Sequence, residues 1–311
     1  MTATEGPDGT WRDRTGRRPS VMADHPGWWL DGEGRWRRLL RGGSGAVWLA
    51  VATPLPDSGH DIDLDLVDGR PGSEPEVEVE VSDPATLANQ GSALSQQLLA
   101  AGPVARIRTD GLWEALVGAI LRCTMPLEHA RTVYRDASKA LGQGHDSAMG
   151  REWLFPGPTT VLELSADVFD VHGLGAVRDR LRTAAWITRA VEPGWRTAAW
   201  DGLRTVLAPV PRIGSLIADV AVADLSGDFR FLAPSDFLVR RCVHVLDPAT
   251  FWPDDAAGFG VRWQEMTGVQ RSAWTVLVLA RETATLTSRR DTRPRGRTGA
   301  GTLRAETGLG T

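Results

Sequence analysis

Apolar residues recur at every second position in three early segments of the chain, 47–51, 62–66 and 77–81. In the last two segments an acid stands at each intervening position. A period of two gives a strand one apolar and one solvated face, as in a small antiparallel sheet. The glycines at 42–45 predict a turn before the first segment, and the turn residues at 68–73 predict a hairpin between the second and third. We therefore expect an antiparallel sheet domain at residues 21–100.

From Pro103 onward the apolar period changes to 3.6, which is typical of amphipathic helices. Two stripes, at 112–121 and 130–141, are the clearest of these. Further helices are predicted at 159–164, 176–191, 201–207, 215–225, 236–245 and 269–286. The fold class is therefore α+β: a small N-terminal antiparallel sheet domain is followed by an all-α domain at residues 101–287.

Both ends of the chain lack apolar periodicity, so we expect residues 1–20 to be a disordered N-terminus and residues 288–311 a disordered basic tail. The tail carries six arginines and two acids. It is either a solubilising end or a nonspecific phosphate contact. The acidic stretch at 57–83, with ten acids and one Arg, is expected to be the solvated face of the sheet rather than a calcium site.

Composition narrows the class of protein. With 35 Lys and Arg against 39 Asp and Glu, and 42% hydrophobic residues, the chain resembles ordinary globular proteins. This composition excludes collagen-like, coiled-coil and wholly disordered proteins. No apolar run approaches the roughly 18 residues that span a bilayer, and the polar N-terminus lacks the apolar core of a signal peptide. We expect a cytoplasmic protein with no membrane partner.

The residues that bind metals or form Schiff bases are few. Cys123 and Cys242 lie 119 positions apart and the six histidines are scattered, so we expect no metal, no iron–sulfur cluster and no cofactor. Lys139 is the only lysine, and its sequence context predicts the solvated end of a helix. Phosphate-binding, dinucleotide-binding and α/β-hydrolase motifs are also absent from the sequence.

One stretch of about 40 residues combines two chemical features. Two predicted helices are joined by the Pro- and Gly-punctuated segment 207–214, and Ser215 is a good N-cap for the second helix. Backbone N–H groups at such a helix start can hold a phosphate, although an ordinary helix-to-helix turn has the same sequence features. Further on, Pro234-Ser235-Asp236 opens another helix, where an acid is also favoured as a simple cap.

This order of hairpin, helix, short loop, Pro-x-Asp and helix resembles the helix-hairpin-helix (HhH-GPD) superfamily of base-excision DNA glycosylases, in its alkyladenine and oxidised-guanine branch. Other segments resemble the same family in the same order: 110–121 resembles its first long core helix and 122–126 its wedge loop. The family resemblance extends to three further features: the segment 154–159, Leu174-Gly175 with Arg178, and the acidic sheet domain in front. The resemblance covers roughly residues 25–285.

The resemblance implies a monomeric base-excision-repair enzyme, associated with the nucleoid, that hydrolyses the N-glycosidic bond of a damaged base flipped out of duplex DNA. Asp236 would be the catalytic carboxylate. The DNA-binding residues would be Pro211, Arg212, Ile213, Gly214, Ser215, Leu216, Arg230, Arg240 and Arg241. The wedge and base pocket would comprise Arg122, Cys123, Thr124 and Met125, with Trp113 and Trp274 either stacking on the base or lying in the core.

Departures from the family pattern bear on substrate and activity. Arg212 replaces a hairpin glycine, where a Cβ is unfavourable if φ is positive. Thr275 and Leu279 stand where oxidised-guanine enzymes have Gln and Phe, so oxidised guanine is not the expected substrate. We expect an alkylated or otherwise electron-poor purine, because its weakened glycosidic bond asks least of a pocket without clear hydrogen-bonding residues. Leu216 stands where bifunctional members have their Schiff-base lysine, so we predict a monofunctional enzyme.

Two alternatives remain open at this stage. A lesion-sensing DNA-binding module could have kept the fold and lost turnover, as Arg212 and a wedge loop without the family's usual Gln or Asn suggest. An N-glycosidase acting on a small nucleoside-like substrate would fit the near-neutral charge of residues 101–287.

Overall fold

A computed structural model describes residues 17–42, 44–56, 59–70, 77–191, 194–195 and 199–281, together with the backbone of two short N-terminal strands and of the last helix to residue 291. Most of the predicted N-terminal segment, and residues 292–311 of the predicted basic tail, lie outside the described residues. The predicted α+β class is confirmed. The strands are β1 (Thr4–Glu5), β2 (Trp11–Arg12), β3 (Ser20–Val21), β4 (Trp29–Leu30), β5 (Trp36–Arg41), β6 (Val47–Pro54), β7 (His60–Asp68), β8 (Val79–Ser82), β9 (Val104–Ile107), β10 (Gly144–Ser147) and β11 (Gly150–Trp153).

The helices are α1 (Ala93–Ala101), α2 (Leu112–Thr124), α3 (Leu127–Leu141), α4 (Pro158–Glu163), α5 (Ala166–Val171), α6 (Arg178–Val191), α7 (Trp200–Leu207), α8 (Gly214–Ser226), α9 (Phe237–Leu246), α10 (Ala256–Thr267) and α11 (Arg271–Asp291). All the predicted helices are present, and α1, α5 and α10 were not predicted. The last helix continues four residues into the segment expected to be the tail. No helix of the described residues is long and apolar enough to cross a bilayer.

The main sheet is an antiparallel meander in the order β4-β5-β6-β7. Strand β7 has the predicted alternation, since Asp63 and Asp65 are exposed and the apolar residues between them are half-buried. Strand β6 differs, because both of its faces are covered. Val47, Leu49 and Val51 pack with Leu154 of the helical region, while the alternate residues pack inside the sheet domain. A strand buried on both faces has no solvated side.

The predicted hairpin at 68–73 is wrong in its pairing. Strand β7 pairs with β6, whereas β8 joins a second sheet in the order β3-β9-β8, where Val79 lies opposite Ile107. The partner of β8 is instead the four-residue strand β9, which follows α1. The β3–β9 pair is parallel, which is the one exception to antiparallel pairing among the described strands.

The two predicted domains are interlocked in the structure. Strand β9 returns to the sheet after residue 100, and α1 buries Leu94 and Leu98 against the C-terminal helices α9 to α11. Helix α2 forms the centre of the other helical core, with α6 and α8 packed on it, and ten of its residues are buried. Its C-terminal end and the hairpin between α7 and α8 position the candidate site.

Candidate active site

A cavity of about 370 Å³ lies where the C-terminal end of α2, helix α8, the loop before α9 and helix α11 meet. Ligand sites are typically concave and mostly apolar, with a few polar groups. Six residues predicted from the sequence line this cavity: Arg122, Cys123, Thr124, Met125, Leu216 and Asp236. The other lining residues are Pro126, Val220, Ala223, Asp224, Phe229, Leu232, Phe237, Leu238 and Leu279.

Asp236 is the N-cap of α9 and faces the cavity with a carboxylate that is half-buried. Its Oδ1 accepts hydrogen bonds from the backbone N–H groups of Leu238 at 2.9 Å and Val239 at 3.2 Å. Within the described part of the chain, Oδ2 receives no hydrogen bond. Burial raises the pKa of Asp236, the two N–H donors oppose that rise, and the nearby Asp219 adds to it. The site therefore contains a preorganised carboxylate with one uncommitted oxygen.

The loop that carries Asp236 is fixed by a close approach of α10. The Asp236 N–H donates to the Ala233 carbonyl at 2.9 Å, which closes a turn before the helix. A Cβ built on Gly260 of α10 would lie 3.3 Å from Ser235 Cβ and 3.4 Å from its backbone N, tighter than ordinary packing. Gly260 thus lets α10 support the loop from behind.

The hairpin between α7 and α8 keeps the positive φ that favours glycine, although Arg212 replaces a glycine there. Arg212 has φ of +73° and Gly214 has φ of +68°, both in the left-handed region. The Arg212 side chain is 58% exposed, and its Nη1 donates to Asp179 Oδ2 at 2.8 Å. Arg212 is therefore a non-glycine residue in a conformation that costs about 1 kcal/mol or more.

The other hairpin residues divide between core and surface. Ile213 is buried and anchors the hairpin, whereas Pro211, Ser215 and Leu216 are exposed. The predicted N-cap role of Ser215 is wrong, since α8 begins at Gly214 and its cap position is Ile213, which makes no side-chain cap hydrogen bond. The first turn of α8 thus starts without a side-chain cap, beside the cavity that Leu216 lines.

The three predicted DNA-binding arginines near Asp236 all have internal partners. Arg230 donates to the Asp228 carboxylate, with Nη2 to Oδ2 at 2.6 Å. Arg240 donates from Nη1 to the Asp254 carbonyl at 2.6 Å. The guanidinium of Arg241 lies 5.9 Å from the ring centroid of Phe237, which is 60% exposed at the cavity rim.

Arg122 occupies a different place from the one expected. It belongs to the last turn of α2 rather than to a loop, and its Nη1 donates to Asp24 Oδ2 at 2.8 Å. Its Nη2 donates to Asp224, whose other oxygen accepts from Arg106 at 2.6 Å. A guanidinium held by two carboxylates cannot fill the gap left by a flipped base. Cys123, Thr124 and Met125 are half-buried in the wall of the cavity.

Burial and charge set the pKa values of the two aspartates in this network in opposite directions. Burial disfavours both carboxylates, but the arginines, Arg106 foremost, hold the pKa of Asp24 below its ordinary value. For Asp224 burial dominates and raises the pKa. Burial also raises the pKa of the Cys123 thiol to about 11, so this side chain is not a reactive thiolate.

The structure does not bring the two predicted stacking tryptophans to the cavity. Trp113 lies nine residues before Arg122 on α2, about 14 Å along the helix, and donates from Nε1 to the Pro156 carbonyl at 3.0 Å. Trp274 is completely buried and packs edge-on against Trp263. Both side chains are core residues, because burial of large aromatic surfaces outweighs exposure at a site.

Sequence reasoning missed Asp224 and Phe237 as cavity residues. Asp224 stands between Ala223 and Leu225 in an otherwise apolar turn of α8, and an acid in such a setting was the available signal. Phe237 directly follows Asp236, and the sequence pattern predicts it only as part of the helix at 236–245. In the described residues no group of three or more His, Cys, Asp or Glu side chains is placed to hold a metal ion.

Comparison with known proteins identifies the fold. No protein-family model matches the chain, and no curated protein matches it. Among solved structures, MBOgg1 in complex with a low-affinity DNA ligand is 13% identical, with a TM-score of 0.60 over 85% of this chain and 90% of that chain. The 3-methyladenine DNA glycosylase of Archaeoglobus fulgidus is 16% identical, with a TM-score of 0.60 over 84% and 91%.

The apo 8-oxoguanine glycosylase/lyase of Clostridium acetobutylicum is 13% identical, with a TM-score of 0.59 over 83% of this chain and 89% of that chain. Both branches named by the sequence resemblance are thus represented with nearly equal scores. The chain has the fold of these DNA glycosylases, and the fold implied by the helix-hairpin-helix resemblance is confirmed.

Proposed function

We propose that this protein is a DNA glycosylase of base-excision repair that hydrolyses the N-glycosidic bond of a damaged base. The observation that carries the proposal is the half-buried carboxylate of Asp236, which faces a cavity of about 370 Å³ directly beside the α7–α8 hairpin. A nucleotide must leave the duplex to reach such a cavity, as in other enzymes that act on bases. The fold shared with solved DNA glycosylases supports the same function.

The mechanism follows from the surroundings of Asp236. The glycosidic C–N bond breaks with its electron pair leaving on the base, and positive charge develops on the sugar. A carboxylate already fixed by two N–H donors stabilises that charge without reorganisation. Water adds to the sugar, and the uncommitted oxygen of Asp236 orients this water and takes its proton.

The DNA backbone would be held by the hairpin and the start of α8. The 13-residue helix α8 starts there without a side-chain cap. Its Gly214 N–H donates to the Val210 carbonyl at 3.2 Å, and the N–H groups that follow in the first turn would attract a phosphate. The side chains of Arg212 and Arg241 are exposed, so phosphates would reach them, although each already has an internal partner. Phosphate would therefore compete with Asp179 for the Arg212 guanidinium.

We further propose that the enzyme is monofunctional. The position that would need a lysine for a Schiff base is Leu216, which lines the cavity together with Asp236. The single lysine, Lys139, is exposed on α3, with Nζ 5.8 Å from the ring centroid of Trp153, and is not among the residues that line the cavity. An amine there cannot attack a sugar whose base occupies the cavity.

The apolar lining favours an alkylated purine as the substrate. Such a base has a weakened glycosidic bond, so the cavity needs to supply less stabilisation than for an undamaged base. Val220, Phe229, Leu232 and Leu279 provide apolar contacts for a flat ring.

The test is base release from duplexes that each carry one lesion, among them methylated purines, deoxyinosine and oxidised guanine. Release from a methylated-purine duplex, with an intact abasic strand, is the expected result. Release from none of the duplexes would overturn the proposal. The strained Arg212 in the hairpin favours a second candidate, a lesion sensor without turnover, which would bind these duplexes and release no base.

A further inference from the structure

The cavity beside Asp236 has one strongly polar side, where the guanidinium of Arg122 meets apolar walls. This side chain is only 15% exposed, and it lines the cavity from the last turn of α2. The opposite walls are formed by side chains such as Phe229 and Leu279. A base that enters the cavity therefore meets the N–H donors of a nearly desolvated guanidinium.

Arg122 is anchored at all three of its nitrogens. Nε donates to the Gly118 carbonyl at 3.3 Å, Nη1 donates to Asp24 at 2.8 Å, and Nη2 donates to Asp224. Arginine has five N–H donors, so these bonds leave two N–H groups uncommitted. Because the guanidinium is planar and held at all three nitrogens, the directions of those two donors are fixed.

The carboxylates that hold Arg122 offer a ligand almost no accessible surface, because Asp24 is not among the residues that line the cavity and the Asp224 side chain, which does line it, is 2% exposed. Asp224 Oδ1 accepts from Arg106 at 2.6 Å and its Oδ2 accepts from Arg122, while its side chain is almost fully buried. The two aspartates and the two arginines cancel in charge. What this side of the cavity offers a base is therefore a hydrogen-bond donor, with no net positive charge.

We propose that Arg122 is a specificity-determining residue that donates to the acceptor edge of a guanine-type base. This inference rests on the proposed glycosylase function. Guanine presents two acceptors, O6 and N7, on one edge, and a guanidinium binds them in pairs, whereas adenine presents the N6 amine as a donor at the same place. The cavity would thus select alkylated guanine over alkylated adenine.

The preference for alkylated guanine over alkylated adenine can be estimated from the hydrogen bonds that differ. An adenine-type base would leave desolvated N–H groups of Arg122 facing another donor, which costs the penalty of an unsatisfied buried polar group. A hydrogen bond to a charged group contributes more than one between neutral groups. We therefore expect alkylated guanine to be released about tenfold to a hundredfold faster than alkylated adenine.

The experiment measures single-turnover release of 3-methylguanine and 3-methyladenine from the same methylated duplex DNA. These two bases carry the alkyl group at the same ring position and keep the edge with N7 free. The native protein should release 3-methylguanine at least about tenfold faster. In Arg122→Met, which removes the donors and keeps an unbranched chain, the ratio of the two rates should fall toward one.

Arg106→Met is the matched control, because it removes one cation from the same network but does not line the cavity. It should keep the native ratio even if its melting temperature falls as much. Arg122→Lys retains a cation between the aspartates and loses the planar fork, so it should stay folded and show a lowered ratio.

The outcomes separate the two proposals. Release of both bases at equal rates by the native protein, or a native ratio in both Arg122 variants, would overturn the role of Arg122 and leave the glycosylase function standing. Release of neither base would overturn the glycosylase function, and the role of Arg122 with it.

Discussion

Leu216 and Asp236 line the same cavity, with the leucine on the first turn of α8 and the carboxylate at the start of α9. Leu216 is 54% exposed, so a longer polar side chain at this position would have room to extend. Under the proposed function, Leu216 is an apolar group at the position where a Schiff-base amine would be needed.

The native protein is therefore expected to form no covalent intermediate with DNA. Leu216→Lys should introduce one, because the new amine would lie beside Asp236 with the sugar between them. The measurement is borohydride trapping on a lesion duplex, with Leu216→Met as the control of similar size. A trapped adduct with the native protein would contradict the monofunctional mechanism.

Arg212 should be replaceable by glycine at a gain in stability. Arg212→Gly and Arg212→Ala both remove the exposed ion pair with Asp179, which contributes little. Only glycine adopts a φ of +73° without strain, so Arg212→Gly should exceed Arg212→Ala by about 1 kcal/mol in free energy of unfolding. Chemical denaturation of the two variants measures the difference, and equal stabilities would show that the hairpin is not strained.

The pH dependence of excision should reflect the buried setting of Asp236. Its pKa is raised above the ordinary 3.8 by burial, and the mechanism needs the ionised form. Excision is thus expected to fall, as the pH is lowered, at a pH above the ordinary Asp value. A single-turnover pH profile on one lesion checks this, and a rate that stays constant down to pH 4 would contradict it.

The same pKa shift predicts that the ionised Asp236 carboxylate lowers the stability of the folded protein at neutral pH. A carboxyl group whose pKa is raised on folding destabilises the folded state as the pH rises through its folded pKa. Asparagine also caps helices but has no charge, so Asp236→Asn should melt at or above the native temperature at pH 7. The difference should vanish at a pH where the carboxyl group is protonated in both states. Thermal melts at both pH values measure it, and a variant that melts lower at pH 7 would argue against a buried, disfavoured charge.

Gly260 should matter for excision although it does not line the cavity. Gly260→Ala would crowd Ser235, only 3.3 Å away, and displace the loop that holds Asp236. We expect excision to slow about tenfold while DNA affinity is kept, because small displacements of a catalytic group are costly. Gly202→Ala, whose new Cβ meets nothing within 4 Å, is the control. Equal excision rates for the two variants would show that the loop adjusts.

Local patterns predicted much of this fold. The alternation in β7 depends on nearest neighbours along the chain and appears where expected. Helix α2 also lies where its apolar period predicts it, although residues 112–121 are all buried and the helix has no solvated face there. The place of Asp236 after Pro234 and the family resemblance predicted a site residue there; the structure places it at the cavity, and its catalytic role stays a prediction. These features need no knowledge of distant contacts.

The remainder depends on contacts that sequence spacing does not reveal. Strand β8 pairs with a short strand 25 positions further along the chain, so its turn residues gave the wrong partner. Trp274 and Arg122 are held by residues from other elements, which decided their burial. The positive φ of Arg212 follows from the hairpin geometry, so its sign could not be predicted from the sequence.

The most direct test of the account compares native protein and Asp236→Asn in single-turnover release of a methylated purine from duplex DNA. The account predicts that the native protein releases the base and leaves the strand intact, while Asp236→Asn binds the duplex with similar affinity and releases it at least about a hundredfold more slowly. Release by Asp236→Asn at the native rate would contradict the central claim that this carboxylate carries the chemistry.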